Sequence, residues 1–198
     1  LIDRQLELVD ELESTQRDPD VLRGLFQLDH MITSLRRNAE NLLVLASDTQ
    51  SRSWSAPVPM VDVVRGAVAE VEDMSRISLE LDLTDTSMLT GRYAVDLSHL
   101  IAELVDNGLS FSPPTARVHL RAERNALHYR VWVLDTGLGM NDAELADANA
   151  RVSNPPDVDE LSADRIGFQV VGRLARRLGV SVRVQPNPGG GLAASVTV

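Results

Sequence analysis

With 198 residues, 43% apolar and 24% charged, the chain can bury one substantial core with a helical attachment and is too short for several. Its 19 basic residues, all Arg, face 29 acidic ones, and the net charge of −10 has the wrong sign for a partner of nucleic-acid phosphates. The absence of both Cys and Lys excludes disulfides, thiolate catalysis, cysteine zinc sites, Schiff-base lysines and a Walker-type phosphate loop.

From Leu1 to about Ser47 the apolar spacing predicts two helices, broken near Arg17-Asp18-Pro19. In the second, Val21, Leu25, Leu28, Ile32, Leu35, Ala39, Leu42 and Ala46 follow a 4-3-4-3 spacing, the seam of a coiled coil or bundle. Two helices bury little by themselves, so a second copy of the chain is the expected completion, a homodimer through these helices. The longest apolar run, Leu42–Ala46, is far too short to span a bilayer, and the start at Leu1 inside a helical pattern reads as a fragment of something longer.

The texture changes across Asp48–Pro59, which sets two domains, 1–52 and 53–198. Beyond it the pattern predicts a strand at Ser53–Val58, a helix over 60–73, a strand at Ile77–Leu83 and a helix over 94–111. Strands follow at Val118–Ala122 and Tyr129–Leu134, then a glycine turn, an irregular polar segment, a helix over 168–177, and strands around Val182 and Ala194. The expected architecture is α+β, a sandwich with helices on one face of a mixed sheet.

Four pieces of this larger domain carry chemistry. On the 94–111 helix, His99, Glu103, Asp106 and Asn107 share one face amid an apolar circumference, where unpaired polar groups are costly. An Asn oxygen there suits a divalent cation shared with phosphates, and a Glu one turn earlier can deprotonate a water or hydroxyl; a solvated helix edge is the plainer alternative. Asp135-Thr136-Gly137-Leu138-Gly139-Met140 ends a strand: the glycines admit a flat ligand, the carboxylate can accept from an exocyclic amine, and Met140 can lie against a ring, although a ligand-free turn also accounts for the string. Gly167 opens a helix whose free N–H groups suit an anion. Gly189-Gly190-Gly191 precedes the last strand.

In this order, the pieces resemble the GHKL, or Bergerat, ATP-binding fold of histidine kinases, gyrase and Hsp90, over roughly Trp54–Val198. Leu28-Asp29-His30, Arg36-Arg37-Asn38-Ala39-Glu40-Asn41-Leu42-Leu43 and His99-Leu100-Ile101-Ala102-Glu103-Leu104 are similar to actinobacterial sensor histidine-kinase-like proteins of nitrate-sensing and conservon type. The resemblance implies ATP and Mg2+ as ligands, Asn107 on the metal, Glu103 as general base, and Asp135 reading adenine beside Gly137, Gly139 and Met140. It also implies Gly167 as the glycine box after an ATP lid spanning Asn141 to Arg165, and Gly190 and Gly191 as the last box. Ser110 stands where many relatives carry a basic residue, and Arg165 replaces the first glycine of the lid hinge, where its guanidinium can clamp phosphate.

His30 falls at an outward f position of the seam, followed by Met31 where the family pattern has an acid; Asp29 precedes it. It admits three readings: phosphoacceptor, plain surface residue, or partner contact. His99 is expected to be structural, and His119 and His128 to be sheet surface. The implied function is the core of a sensor histidine kinase on the cytoplasmic side of the plasma membrane, passing the γ-phosphoryl of ATP to His30 and on to a response-regulator aspartate. The alternatives are a degenerate scaffold recruiting partners such as small-GTPase modules, and an ATPase of gyrase or Hsp90 type; nucleic acid is not an expected partner.

Overall fold

The computed structural model describes residues 56–155 and 166–198. The chain divides into two units, Leu1–Asp48 and Thr49–Val198, and every described residue belongs to the second. The expected helical hairpin with His30, and Arg165, lie outside the described residues.

In chain order the elements are β1 (Val58–Pro59), α1 (Met60–Ala69), β2 (Ile77–Leu81), β3 (Met88–Leu89), α2 (Ala94–Ser110), β4 (Val118–Arg124) and β5 (Tyr129–Leu134). They continue with α3 (Asp142–Ser153), α4 (Ile166–Leu178), β6 (Ser181–Pro186) and β7 (Leu192–Thr197). Five strands form one mixed sheet in the order β2-β4-β5-β7-β6, and β1 pairs with β3 in a separate small ladder. Within the larger sheet β2 and β4 run parallel, joined by a crossover containing α2, and the remaining neighbours are antiparallel.

Period-two alternation decides which face is covered. Val118, Leu120 and Ala122 of β4 and Tyr129, Val131 and Val133 of β5 are buried, and the register sets Leu120 beside Val133 and Val131 beside Val196. Over this face lies α2, whose Leu97, Leu100, Ile101, Leu104 and Val105 recur at helical spacing and are buried. Full burial of each such side chain contributes about 1.5–3 kcal/mol, so the α2 stripe is a principal source of stability. Arg177 of α4 reaches Asp96 in the first turn of α2 at 2.6 Å. The opposite sheet face carries Arg121, Glu123, Arg130 and Trp132. The Trp132 indole N–H donates to Glu123 Oε1 at 3.2 Å, and the Arg130 guanidinium lies 5.6 Å from the Trp132 ring centre. His119 is exposed on this face and His128 in the β4–β5 turn.

The segment after Met140, expected to be irregular, is helical over Asp142–Ser153. Asn141 caps it: its Oδ1 accepts from the N–H groups of Ala143 and Glu144, both at 3.0 Å, and its own N–H donates to Glu144 Oε2 at 2.9 Å. Asn149 fastens the helix to the outer edge of β6. Its Nδ2 donates to Val184 O at 2.8 Å and its Oδ1 accepts from Val184 N at 2.9 Å, so a side-chain amide takes the place of a neighbouring strand.

Candidate functional site

A cavity of about 590 Å3, within the range of small-molecule sites, opens between α2, α3, the start of α4 and the C-terminal end of β5. Leu104, Val133, Met140, Val184, Leu192 and Ala194 supply much of its apolar wall. Phe111 and Leu138 stand exposed at its lip, Leu138 at 93%. The polar residues reaching it include Asp135, Asn107, Glu144, Asp147 and Arg151.

Asp135 directly follows β5, with 8% of its surface exposed. Its Oδ1 accepts from Gly137 N at 2.8 Å and Leu192 N at 3.1 Å, its main-chain carbonyl accepts from Asn187 Nδ2 at 2.8 Å, and its N–H donates to Leu192 O at 2.9 Å. Fixed by these contacts, the carboxylate has little freedom to turn. Among the described residues no hydrogen bond engages Oδ2, which leaves one acceptor for a donor in the cavity. Two close approaches make this possible. A Cβ on Gly137 would strike the carbonyl of Phe111, and one on Gly191, already at φ +75°, would strike Oδ1 of Asp135 itself.

Asn107 lies on the α2 wall. Its Nδ2 is buried without a partner among the described residues, and the Gly167 backbone crosses so near that a Cβ there would stand 3.0 Å from both side-chain amide atoms. An orphaned NH2 at the meeting of two helices costs free energy unless an acceptor such as a phosphate oxygen engages it, and the oxygen of the same amide is of the type that coordinates Mg2+. Among the described residues no cluster of three His, Asp or Glu could hold a metal by itself, so a cation here would share its coordination with phosphate oxygens. The residues present fit that arrangement.

Glu103, one turn before Asn107, is 4% exposed and engaged within the fold. His99, a turn earlier still, bonds through Nδ1 to Glu70 Oε2 at 3.1 Å. That hydrogen bond raises its pKa above the usual 6.5, against burial, with further help from the negative charges of Glu103, Glu70 and Asp96. His99 thus lies in a network joining α1 to α2.

Of the residues singled out in sequence, Asn107, Asp135, Gly139, Met140 and Gly167 line one cavity, and Gly137 packs against two of its lining residues, Phe111 and Asp135. Gly190 is exposed in the β6–β7 turn, with nothing within 4 Å of where its Cβ would be, and Gly191 is the glycine pressed against the site. Arg151 of α3, missed in sequence, is the cationic side chain in the described lining. It pairs with Asp147 through Nε at 2.8 Å. Its signal lay in the Asp147/Arg151 spacing of i, i+4, legible only once that segment is taken as a helix. Asn187, which holds the Asp135 carbonyl, had no signal beyond its place in a turn.

Similarity to known proteins agrees with this geometry. Residues 93–198, more than half of the chain, match the family described as histidine kinase-, DNA gyrase B-, and HSP90-like ATPase. The chain is 26% identical over 132 residues to the sensor protein CreC of Escherichia coli (strain K12), an alignment covering 67% of this chain and 28% of that protein's length. Among solved structures it shares the fold of the mycobacterial sensor histidine kinase MprB, at 23% identity and a TM-score of 0.56, covering 73% of this chain and 96% of that one. It also shares the fold of full-length ShkA in complex with AMPPNP, at 19% identity and a TM-score of 0.59, covering 98% of this chain and 42% of that one. The α+β sheet with its helices, the strand-end aspartate and the sequence match lead to one conclusion: the chain belongs to the histidine kinase-, DNA gyrase B- and HSP90-like ATPase family.

Proposed function

We propose that the cavity binds ATP with Mg2+ and that the chain is the catalytic core of a sensor histidine kinase. The observation that carries this reading is the pairing, in one cavity lining, of a fixed carboxylate on Asp135 with the Asn107 side chain, whose Nδ2 is buried without a partner among the described residues. Asp135 Oδ2 accepts from the exocyclic amine of adenine, the ring lies on Met140 and the apolar wall between Gly137 and Gly139, and the Asn107 oxygen takes the metal. Bound Mg2+ supplies neutralisation of the phosphate charge. Gly167 lets the first turn of α4 approach the phosphates, with Arg151 and Arg165 as the cations nearest to hand in structure and sequence respectively. Gly190, at φ +95°, forms the turn that delivers Gly191 to Asp135.

In the transfer step an imidazole nitrogen of His30 bonds to the γ-phosphorus as the bond from that phosphorus to the β–γ bridging oxygen breaks. ADP leaves with the electron pair, and the imidazole proton passes to a carboxylate, Glu103 or Asp29. The phosphoryl group then moves to an aspartate of a response regulator. A homodimer through residues 1–52 brings the two halves of the reaction together, at the cytoplasmic side of the plasma membrane. Among the described residues no helix is long and apolar enough to cross a membrane.

Incubation with γ-labelled ATP tests the assignment. Label stable in alkali, labile in acid and absent from His30→Gln supports it. Nucleotide binding without label favours the scaffold reading, and steady hydrolysis abolished by Glu103→Ala favours an ATPase.

A further inference from the structure

We propose that Arg76, which lies outside the cavity, is a positioning residue for the base end of the nucleotide site and sets its preference for adenine. Arg76 closes the short turn Met74–Arg76 before β2. Its Nε donates to Ala116 O at 2.9 Å and its Nη2 to Pro113 O at 2.8 Å, with Leu109 O at 3.4 Å and Ser112 O at 3.5 Å also in reach. One guanidinium therefore gathers carbonyls from the last turn of α2 and from the loop running to β4. Helix C-terminal carbonyls have no partner of their own, and a cation is favourable there. The planar fork spans acceptors that a point charge cannot serve together.

What this loop carries gives the clamp its consequence. Phe111, between Leu109 and Ser112, accepts from Leu138 N through its carbonyl at 3.3 Å, and Gly137 packs directly on that carbonyl. Gly137 N in turn holds Asp135 Oδ1. The chain of contacts runs from Arg76 to the loop, to Phe111, to Gly137 and to the carboxylate; Phe111 N also donates to the main-chain carbonyl of Asn107 at 3.1 Å, but the Asn107 side-chain Nδ2, the group facing the other end of the cavity, has no partner on it. Loosening the clamp shifts the orientation of Asp135 while leaving phosphate contacts in place.

This inference rests on the proposed nucleotide site, so the experiment first measures ATP, GTP and inorganic tripolyphosphate, each with Mg2+, on the wild-type chain. A wild type that fails to bind ATP ends the nucleotide reading itself. Given binding, the three titrations are repeated on Arg76→Gln and Arg76→Lys, with thermal melts. The expected result is a fall of about tenfold in the ATP-over-GTP preference, the scale of one charge-assisted hydrogen bond, with tripolyphosphate affinity unchanged. Arg76→Lys is expected to fall in between and to stay folded. An equal loss for all three ligands, or a lowered melting temperature with the preference intact in both variants, would overturn the proposal.

Discussion

Gly191 and Asp135 touch across the β5–β7 junction: Gly191 holds φ +75°, and the place its Cβ would occupy is taken by Oδ1 and the carbonyl of Asp135. A methyl group there must displace the carboxylate, in addition to about 1–2 kcal/mol for a non-glycine residue in the left-handed region. Gly191→Ala is therefore expected to lower ATP affinity by more than about tenfold. Gly190→Ala, at φ +95° with open space around it, should cost stability alone. Isothermal titration with parallel melts of the two variants separates the cases.

Asn107 and Gly167 make a second pair. A Cβ on Gly167 would press on the Asn107 amide at 3.0 Å. Both Asn107→Ala and Gly167→Ala should remove most of the Mg2+-dependent gain in ATP affinity while leaving metal-free binding within about twofold. Titrations with Mg2+ and with EDTA check this, and an undiminished Mg2+ increment in Asn107→Ala contradicts it.

The bidentate pairing of Asn149 with Val184 predicts a stability effect distant from the ligand. Asn149→Ala removes both bonds and leaves the N–H and C=O of buried Val184 unpaired at the outer edge of β6. The expected loss is about 1–3 kcal/mol in urea unfolding, from net hydrogen-bond values of about 0.5–1.5 kcal/mol each.

His99 gives a pH dependence of defined sign. Its folded pKa lies above the unfolded value near 6.5, chiefly through Glu70 and secondarily through Glu103 and Asp96. The stability it contributes is therefore complete below about pH 6.5 and is lost as pH rises through the raised folded value. The melting-temperature gap between the wild type and Glu70→Gln should be widest near pH 6 and close in alkali, as roughly one titrating group allows. A gap independent of pH contradicts it.

The strands and the long helix were legible because their burial is periodic. Tyr129–Leu134 matches its expected span, and α2 ends at Ser110, one residue short of the reading, because Ser112-Pro113-Pro114 cannot continue a helix. Helix α1 stops at Ala69 rather than 73, where the sequence turns polar at Glu70, Glu72 and Asp73. Helix α3 escaped because Ala148 and Val152 are its buried residues, too few to set a period; the Asn141/Glu144 capping box was the signal that could have found it. The β1–β3 ladder pairs two-residue segments about thirty positions apart, and no local pattern marks such a contact. The order of the motifs singled out Asp135 and Asn107, and both line the same cavity. Which glycine of Gly189-Gly190-Gly191 presses on Asp135 depends on the turn that directs Gly191 at Oδ1, and a run of identical residues does not encode it.

The most direct measurement is an ATP titration of the wild type and of Asp135→Asn, with Mg2+ present throughout. In the variant, the amide oxygen can keep the Gly137 and Leu192 N–H groups, which turns an NH2 donor toward the adenine amine. Affinity for ATP is predicted to fall about 10- to 100-fold while that for inorganic tripolyphosphate holds. Equal ATP affinity in the two proteins would contradict the assignment of Asp135 as the adenine acceptor.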